Sequence, residues 1–245
     1  LCHAPHLRLP LAMVIARSAL AHSVLDTVGV EIVGGTLAPG DGFTLQDLAE
    51  RFGVSRTVAR ETMRALEELS LVAASPRIGI TVLPAAQWNV FSPRVIGWRL
   101  QTDANFAQLR SLTELRAAVE PAAALHAATR ATDEQRAHFV ELAATLRRLG
   151  EAGAGNREEF LSADIEFHAL LLAASGNEMF AALTDSVSEV LAGRTRLGLQ
   201  PAHPEDEALA HHELLARAVA DGDPAKAEHH ARALGHEVSE AISRL

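Results

Sequence analysis

Nine residues, Gly53-Val54-Ser55-Arg56-Thr57-Val58-Ala59-Arg60-Glu61, constrain this chain more than any other stretch of it. Gly53 can take the left-handed conformation that ends a helix. Ser55 can cap the next helix by accepting a backbone N–H. The segment therefore predicts the turn and second helix of a helix-turn-helix. Arg56 and Arg60 are four residues apart and share one face of that helix's first turns. In such a motif this face reaches phosphates and base edges in a major groove. A solvated charged face is the alternative reading of the spacing.

The flanking sequence supplies the rest of a small domain. Apolar residues recur with helical spacing over 19–33 (Leu20, Val24, Leu25, Val28, Ile32) until Gly34-Gly35 stops them. Pro39-Gly40-Asp41-Gly42 predicts a turn. Thr44 with Asp47 has the pattern of a capping box, opening a helix over Leu45–Phe52 with Leu48, Ala49 and Phe52 facing inward. The second helix runs over about 56–69, buried through Val58, Met63, Leu66 and Leu69. Leu71-Val72-Ala73 and residues 78–83 are β-prone runs around Ser75-Pro76-Arg77, which predicts the two strands of a wing.

Charge has to be read locally here. The formal charge is −9, yet residues 1–83 carry 7 Lys+Arg against 8 Asp+Glu, while residues 84–245 carry 15 against 23. A DNA reader needs a basic patch, not a basic total, and Arg56, Arg60, Arg64 and Arg77 can supply one. The single Cys2 excludes an internal disulfide framework and fits a reducing cytoplasm. No apolar, charge-free run reaches the roughly 18 residues of a membrane span. Residues 1–14 read as an arm outside the fold, a tag or a misassigned start.

Beyond a junction at 84–89 the sequence predicts helix throughout, over 91–101, 105–129, 132–150, 155–175, 177–198, 206–221 and 223–244. Thr132 followed by Asp133 and Glu134 has the form of an N-cap, Ser175-Gly176-Asn177 of a tight break, and Asp221-Gly222-Asp223-Pro224 of a helix end and restart. The expected organisation is a mainly α chain: an arm (1–14), a winged helix-turn-helix (15–84), a linker with a first helix (85–104) and an all-helical bundle (105–245).

At this point the residues resemble a known family. Gly35-x-Leu37-x-Pro39-Gly40, Leu48-Ala49-x-x-Phe52-Gly53-Val54-Ser55-Arg56-Thr57-x-x-Arg60-Glu61, Leu66-x-x-Leu69-x-Leu71-Val72 and Arg77-x-Gly79-x-x-Val82 resemble the winged helix of GntR regulators. Glu114-Leu115-Arg116, Glu120-Pro121, Asp164-x-x-x-His168, Asn177 and His212-x-x-Leu215-x-x-Ala218-Val219-x-x-Gly222-Asp223 resemble the helical FCD effector domain of the FadR subfamily. The resemblance implies a cytoplasmic, homodimeric transcription regulator, most often a repressor. Its partners would be a double-stranded DNA operator and a small carboxylate effector. It implies DNA contacts from Ser55, Arg56, Thr57, Arg60 and Arg77, with Gly79 at the wing tip. It also implies an effector pocket holding Arg116, Asn177 and Arg194. Gln87-Trp88-Asn89-Val90-Phe91 with Val95-Ile96-x-Trp98 is similar to the linker of galactonate-operon repressors, which implies a sugar acid as effector. Trp88 and Trp98 are expected to pack that linker onto the effector domain.

The residues themselves leave alternatives open. Arg116 can grip a carboxylate through two parallel bonds, or pair with Glu120 four residues on. Asn177 can line a pocket or cap a helix. Of Arg194 and Arg196, at least one is expected at the surface. Asp164 and His168 share a helix face and suit a divalent ion such as zinc; the resemblance adds His212 as a third ligand. It also implies a histidine where Leu234 stands. His229, His230 and His236 are out of register, although His230 lies one turn before Leu234. Three ligands leave positions for water or a ligand carboxylate. The other readings are a metal-free polar pocket, a metal-sensing regulator, and a metal-dependent enzyme on the helical bundle, which would leave the winged half unexplained.

Overall fold

A computed structural model describes residues 11–75 and 79–243. Arg77 and residues 1–10 of the expected arm lie outside the described residues. The chain divides into two compact units, Leu1–Thr102 and Asp103–Leu245.

The first unit runs α1 (Leu11–Val33), β1 (Gly42–Phe43), α2 (Leu45–Phe52), α3 (Arg56–Glu68), β2 (Val72–Ser75), β3 (Gly79–Val82), a 3-10 turn (Ala85–Gln87) and α4 (Pro93–Arg99). α1 begins at Leu11, so residues 11–14 of the expected arm are helical. The Thr44 hydroxyl accepts the Asp47 amide at 3.1 Å and the Asp47 carboxylate accepts the Thr44 amide at 2.7 Å, which closes the capping box. Gly53 ends α2 in the left-handed conformation, φ 62°, and the Ser55 hydroxyl accepts the Val58 amide at 3.3 Å to start α3.

The wing is an antiparallel three-stranded sheet in the order β1-β3-β2. β1 was not expected, because two residues are too short to show a period. Gly79 has φ 93°, and a Cβ there would lie 2.9 Å from the Phe43 carbonyl oxygen, so only glycine lets β3 start this close to β1. Val28, Ile32, Leu48, Ala59, Leu66, Leu71 and Val82 form the buried centre; a fully buried aliphatic side chain of this kind contributes about 1.5–3 kcal/mol relative to exposure.

α4 is docked onto α1 within the same unit. The Trp98 ring is buried and lies over Gly29. Its Nε1 donates to Asp26 Oδ1 at 3.1 Å, and Arg94 Nη1 donates to the same oxygen at 3.0 Å. Trp88 Nε1 donates to the Leu83 carbonyl at 2.9 Å. The expectation that these rings pack the linker onto the effector domain is therefore corrected: both find their partners among α1 and the wing.

The second unit holds α5 (Asn105–Arg130), α6 (Asp133–Glu151), α7 (Glu158–Ala174), α8 (Glu178–Ala181), α9 (Thr184–Arg196), α10 (Asp206–Ala220) and α11 (Pro224–Ser243). The helix expected over 177–198 is two. Asn177 caps the single turn of α8, and the Thr184 hydroxyl donates to the Ala181 carbonyl at 2.8 Å where the chain restarts as α9. α5 packs along α11, and α10 packs between α6 and α11. Buried Ala123, Ala124, Ala127 and Ala128 leave α5 a smooth face for this. Phe139 and Phe167 meet edge to face at 5.4 Å in the core. Pro121 lies inside α5 and has no N–H to give to the Ala117 carbonyl. No helix among the described residues is long and apolar enough to cross a membrane.

Candidate functional site

In the first unit α3 has two chemically distinct faces. Val58, Ala59, Thr62 and Leu66 are buried, whereas Arg56, Thr57, Arg60 and Arg64 are exposed. The capping bond of Ser55 and the left-handed Gly53 fix where that face begins. Ser55 is itself exposed at the helix start, and Gly79 opens β3. Arg77, between the wing strands in sequence, lies outside the described residues.

In the second unit five polar side chains from α5, α7 and α10 converge below the surface. Arg116, Glu120, Asp164, His168 and His212 are all buried. Arg116 holds Glu120 bidentately, Nε to Oε1 at 2.7 Å and Nη2 to Oε2 at 3.2 Å. Its Nη2 also lies 3.0 Å from His168 Nε2 and 3.2 Å from His168 Nδ1, so the guanidinium sits over the ring face. His168 Nδ1 is 3.3 Å from Glu120 Oε2 and its Nε2 is 3.5 Å from Asp164 Oδ1. His212 Nε2 is 3.4 Å from the same Asp164 oxygen. The Phe167 ring packs edge to face against both imidazoles, with centroids at 5.7 Å and 5.1 Å.

His212 Nδ1 lies 2.8 Å from the Ala208 carbonyl. A carbonyl only accepts, so Nδ1 carries the hydrogen and the neutral ring leaves Nε2 bare. That nitrogen is buried and makes no aligned hydrogen bond among the described residues. An imidazole anchored through one nitrogen with the other bare is the usual state of a metal-ligating histidine. The ligand atoms of Asp164, His168 and His212 all lie within 4.8 Å of one another. These residues fit a three-ligand site for a borderline ion such as zinc.

Burial would raise the Glu120 carboxyl, but Arg116 and His168 outweigh it and hold the pKa down to about 2. Burial likewise opposes the charge on Asp164, and His168 and His212 hold it well below the usual carboxylate range. For His168, burial and Arg116 push down while Glu120 and Asp164 push up; the balance is raised. Glu120 and Asp164 are thus held as carboxylates beside Arg116 and His168 despite their burial.

A cavity of about 600 Å³ opens onto the cluster. Arg116, Asp164, His168, His212, Arg194 and Leu234 line it, and Gln200, Glu205 and Glu207 add polar groups. The sequence reading missed these last three; the gap it left between the helices expected over 177–198 and 206–221 was the available signal. Asn177 is not among the lining residues. Its Oδ1 accepts the Met179 amide at 3.0 Å, so the effector-pocket expectation for Asn177 is corrected to a helix cap. Arg196 is half exposed and pairs with Glu189 at 2.9 Å. Arg116 makes the Glu120 pair and also lines the cavity. Leu234 lines it as an apolar wall, and His230 turns toward His211 instead.

Comparison with known proteins follows the same division. Residues 20–82 match the bacterial regulatory proteins of the gntR family and residues 111–236 match the FCD domain. The galactonate operon transcriptional repressor of Escherichia coli K12 is 32% identical over 211 residues, covering 83% of this chain and 89% of that protein. The HTH-type transcriptional regulator LutR of Bacillus subtilis is 32% identical over 209 residues, covering 80% and 89%. The uncharacterised HTH-type regulator YieP of E. coli K12 is 36% identical over 157 residues, 62% of this chain; the chain spans 65% of that protein's length. Among solved structures, that of Lar, which controls expression of the Listeria monocytogenes agr system, superposes with a TM-score of 0.59 at 17% identity, covering 92% of this chain and 97% of the other. At that identity it speaks for the fold alone.

Proposed function

We propose a division of labour for this chain, which belongs to the GntR family of bacterial regulatory proteins and carries its FCD domain. It is a DNA-binding transcription regulator, not an enzyme. In our reading a homodimer places α3 of each copy in successive major grooves of a palindromic operator. Arg56, Thr57 and Arg60 reach base edges and phosphates there. Ser55, Arg77 and Gly79 stand against the backbone and minor groove. Operator DNA as partner puts the protein's action in the cytoplasm.

The second unit binds a small carboxylate. One observation carries this: a cavity of about 600 Å³ inside the FCD unit ends on Arg116, His168 and His212, with Arg194 on its wall. The guanidinium groups of Arg116 and Arg194 on a cavity in an otherwise acidic half suit an anion. Gln200, Glu205 and Glu207 suit the hydroxyls of a sugar acid, and one relative is named for the galactonate operon. Asp164, His168 and His212 would hold a divalent ion, which when bound supplies a Lewis-acid anchor for a carboxylate oxygen. Arg116 orients the ligand, and Phe167 packs against both imidazoles. Effector relieves repression if it binds the DNA-incompetent geometry of the dimer more tightly.

The test is a thermal-stability screen of the full chain with galactonate and other aldonates and hydroxy acids, with and without chelator, paired with operator binding. A ligand at 100 times its Kd stabilises by about 2.7 kcal/mol. Stabilisation by a carboxylate that also releases the operator is the expected result. If no acid does either while zinc alone releases the operator, the metal-sensing reading replaces this one, a reading favoured by the bare Nε2 of His212.

A further inference from the structure

A pair of histidines outside this cavity has no part in the function proposed above. α10 (Asp206–Ala220) turns back into α11 (Pro224–Ser243) through Asp221-Gly222-Asp223. His212 faces the cavity from α10. His211, one residue earlier and about 100° round the helix, meets His230 of α11. Their Nδ1 atoms lie 3.2 Å apart, with ring centroids 5.4 Å apart and the planes tilted by 41°. We propose that His211 and His230 form a second site for a divalent transition ion, clipping α10 to α11 and sharing no ligand with Asp164, His168 and His212.

The separation fits an ion. Zinc sits about 2.0–2.1 Å from imidazole nitrogen; at a tetrahedral angle that puts two ligand nitrogens about 3.3 Å apart. A shared hydrogen satisfies the pair only if one ring donates and the other accepts, whereas one ion takes both lone pairs. Glu207 stands behind the His211 ring. Its Oε1 lies 3.8 Å from His211 Nε2, beyond hydrogen-bond distance but on the far side of the ring, where a small side-chain rotation would let it accept the Nε2 hydrogen, as carboxylates do behind many metal-bound histidines.

The surroundings allow access and completion. The His211 side chain is 16% exposed and Glu207 is open to solvent, so water can fill the remaining positions. His229, exposed, has its ring centroid 5.0 Å from that of His230 and adds a third imidazole beside the pair. Burial first, then His211, His229 and Lys226, disfavour positive charge on His230; the Lys226 ammonium is held 2.8 Å from Asp223 Oδ2, which offsets part of its field. Imidazole donors select zinc, nickel or copper over magnesium or calcium.

The experiment uses the full chain, stripped with chelator and desalted, then titrated calorimetrically with Zn²⁺ alone. Wild type is expected to take up one equivalent more than His230→Gln, whatever the central cluster binds. His230→Cys, which keeps a ligand atom, is expected to retain that equivalent. His230 is partly exposed, so neither change empties the core. Equal uptake by wild type and His230→Gln overturns the proposal, and so does loss of the equivalent in both variants.

Discussion

Gly29→Ala tests whether α4 is fastened to α1 as described. A Cβ at Gly29 would stand 2.5–2.6 Å from three carbons of the Trp98 indole, far inside contact distance. On an exposed helix face the same change would stabilise by about 1 kcal/mol through propensity. Here the rigid ring must shift or leave. Overpacking of this kind costs about 1–3 kcal/mol, and full expulsion of a large aromatic approaches the roughly 3–5 kcal/mol of a Trp→Ala truncation. Displacement also breaks the Trp98 Nε1 bond to Asp26, worth no more than about 1.5 kcal/mol since the Asp26 side chain is 54% exposed. The expected net loss is about 1–3 kcal/mol. The assay is built into the chain, which has 2 Trp and no Tyr. Trp88 and Trp98 both lie in the first unit, so indole fluorescence follows urea unfolding of that unit alone. A lower urea midpoint with red-shifted native emission is expected. A variant at least as stable as wild type, with unchanged emission, would refute the packing argument.

Three further outcomes are expected. Ser55→Ala removes the cap on α3 and should lower the unfolding free energy followed by the same fluorescence by about 1 kcal/mol, while exposed Arg60→Ala should stay within about 0.5 kcal/mol and act only on operator binding; the reverse order would count against the placement of α3. Glu120 has a depressed pKa, about 2 against an ordinary value of about 4.3; its contribution to stability is complete above the ordinary range and is lost as pH falls toward 2. Glu120→Gln should therefore cost about 3–5 kcal/mol at neutral pH, by stranding the buried Arg116 charge, and should flatten the acid limb seen by circular dichroism; a neutral-pH melt equal to wild type would contradict the buried pair. His212→Ala should weaken zinc binding at the central cluster and effector stabilisation together; effector stabilisation indifferent to both this change and chelator would remove the ion from the effector site.

Local chemistry was the legible part of this sequence. Thr44 with Asp47, Gly53 and Ser55 each act on neighbours within four residues, so their roles could be read without the fold. The i, i+4 spacing likewise placed Asp164 and His168 on one face. What depended on distant partners was hidden. β1 exists because Gly42 and Phe43 pair with β3. Trp98 could equally have faced another surface until Gly29 and Asp26 were brought beneath it. Spacing allowed Arg116 both a ligand and Glu120; the burial of Glu120 beside His168 made the ion pair part of the cavity floor. Asn177 had the right composition for a pocket, yet the adjacent turn of α8 claimed its oxygen.

Pro121 gives the long helix α5 a mechanical character. The missing bond is the one that would run from residue 121 back to Ala117, and without it the backbone ladder has a notch, like a beam cut part-way through. Arg116 and Glu120 span the same turn from outside, so their side-chain bonds splint it. The ion pair thus adds a side-chain tie across the turn where the backbone has one bond fewer. If the carboxylate proposed above draws Arg116 away from Glu120, that turn of α5 loses its side-chain splint next to the notch.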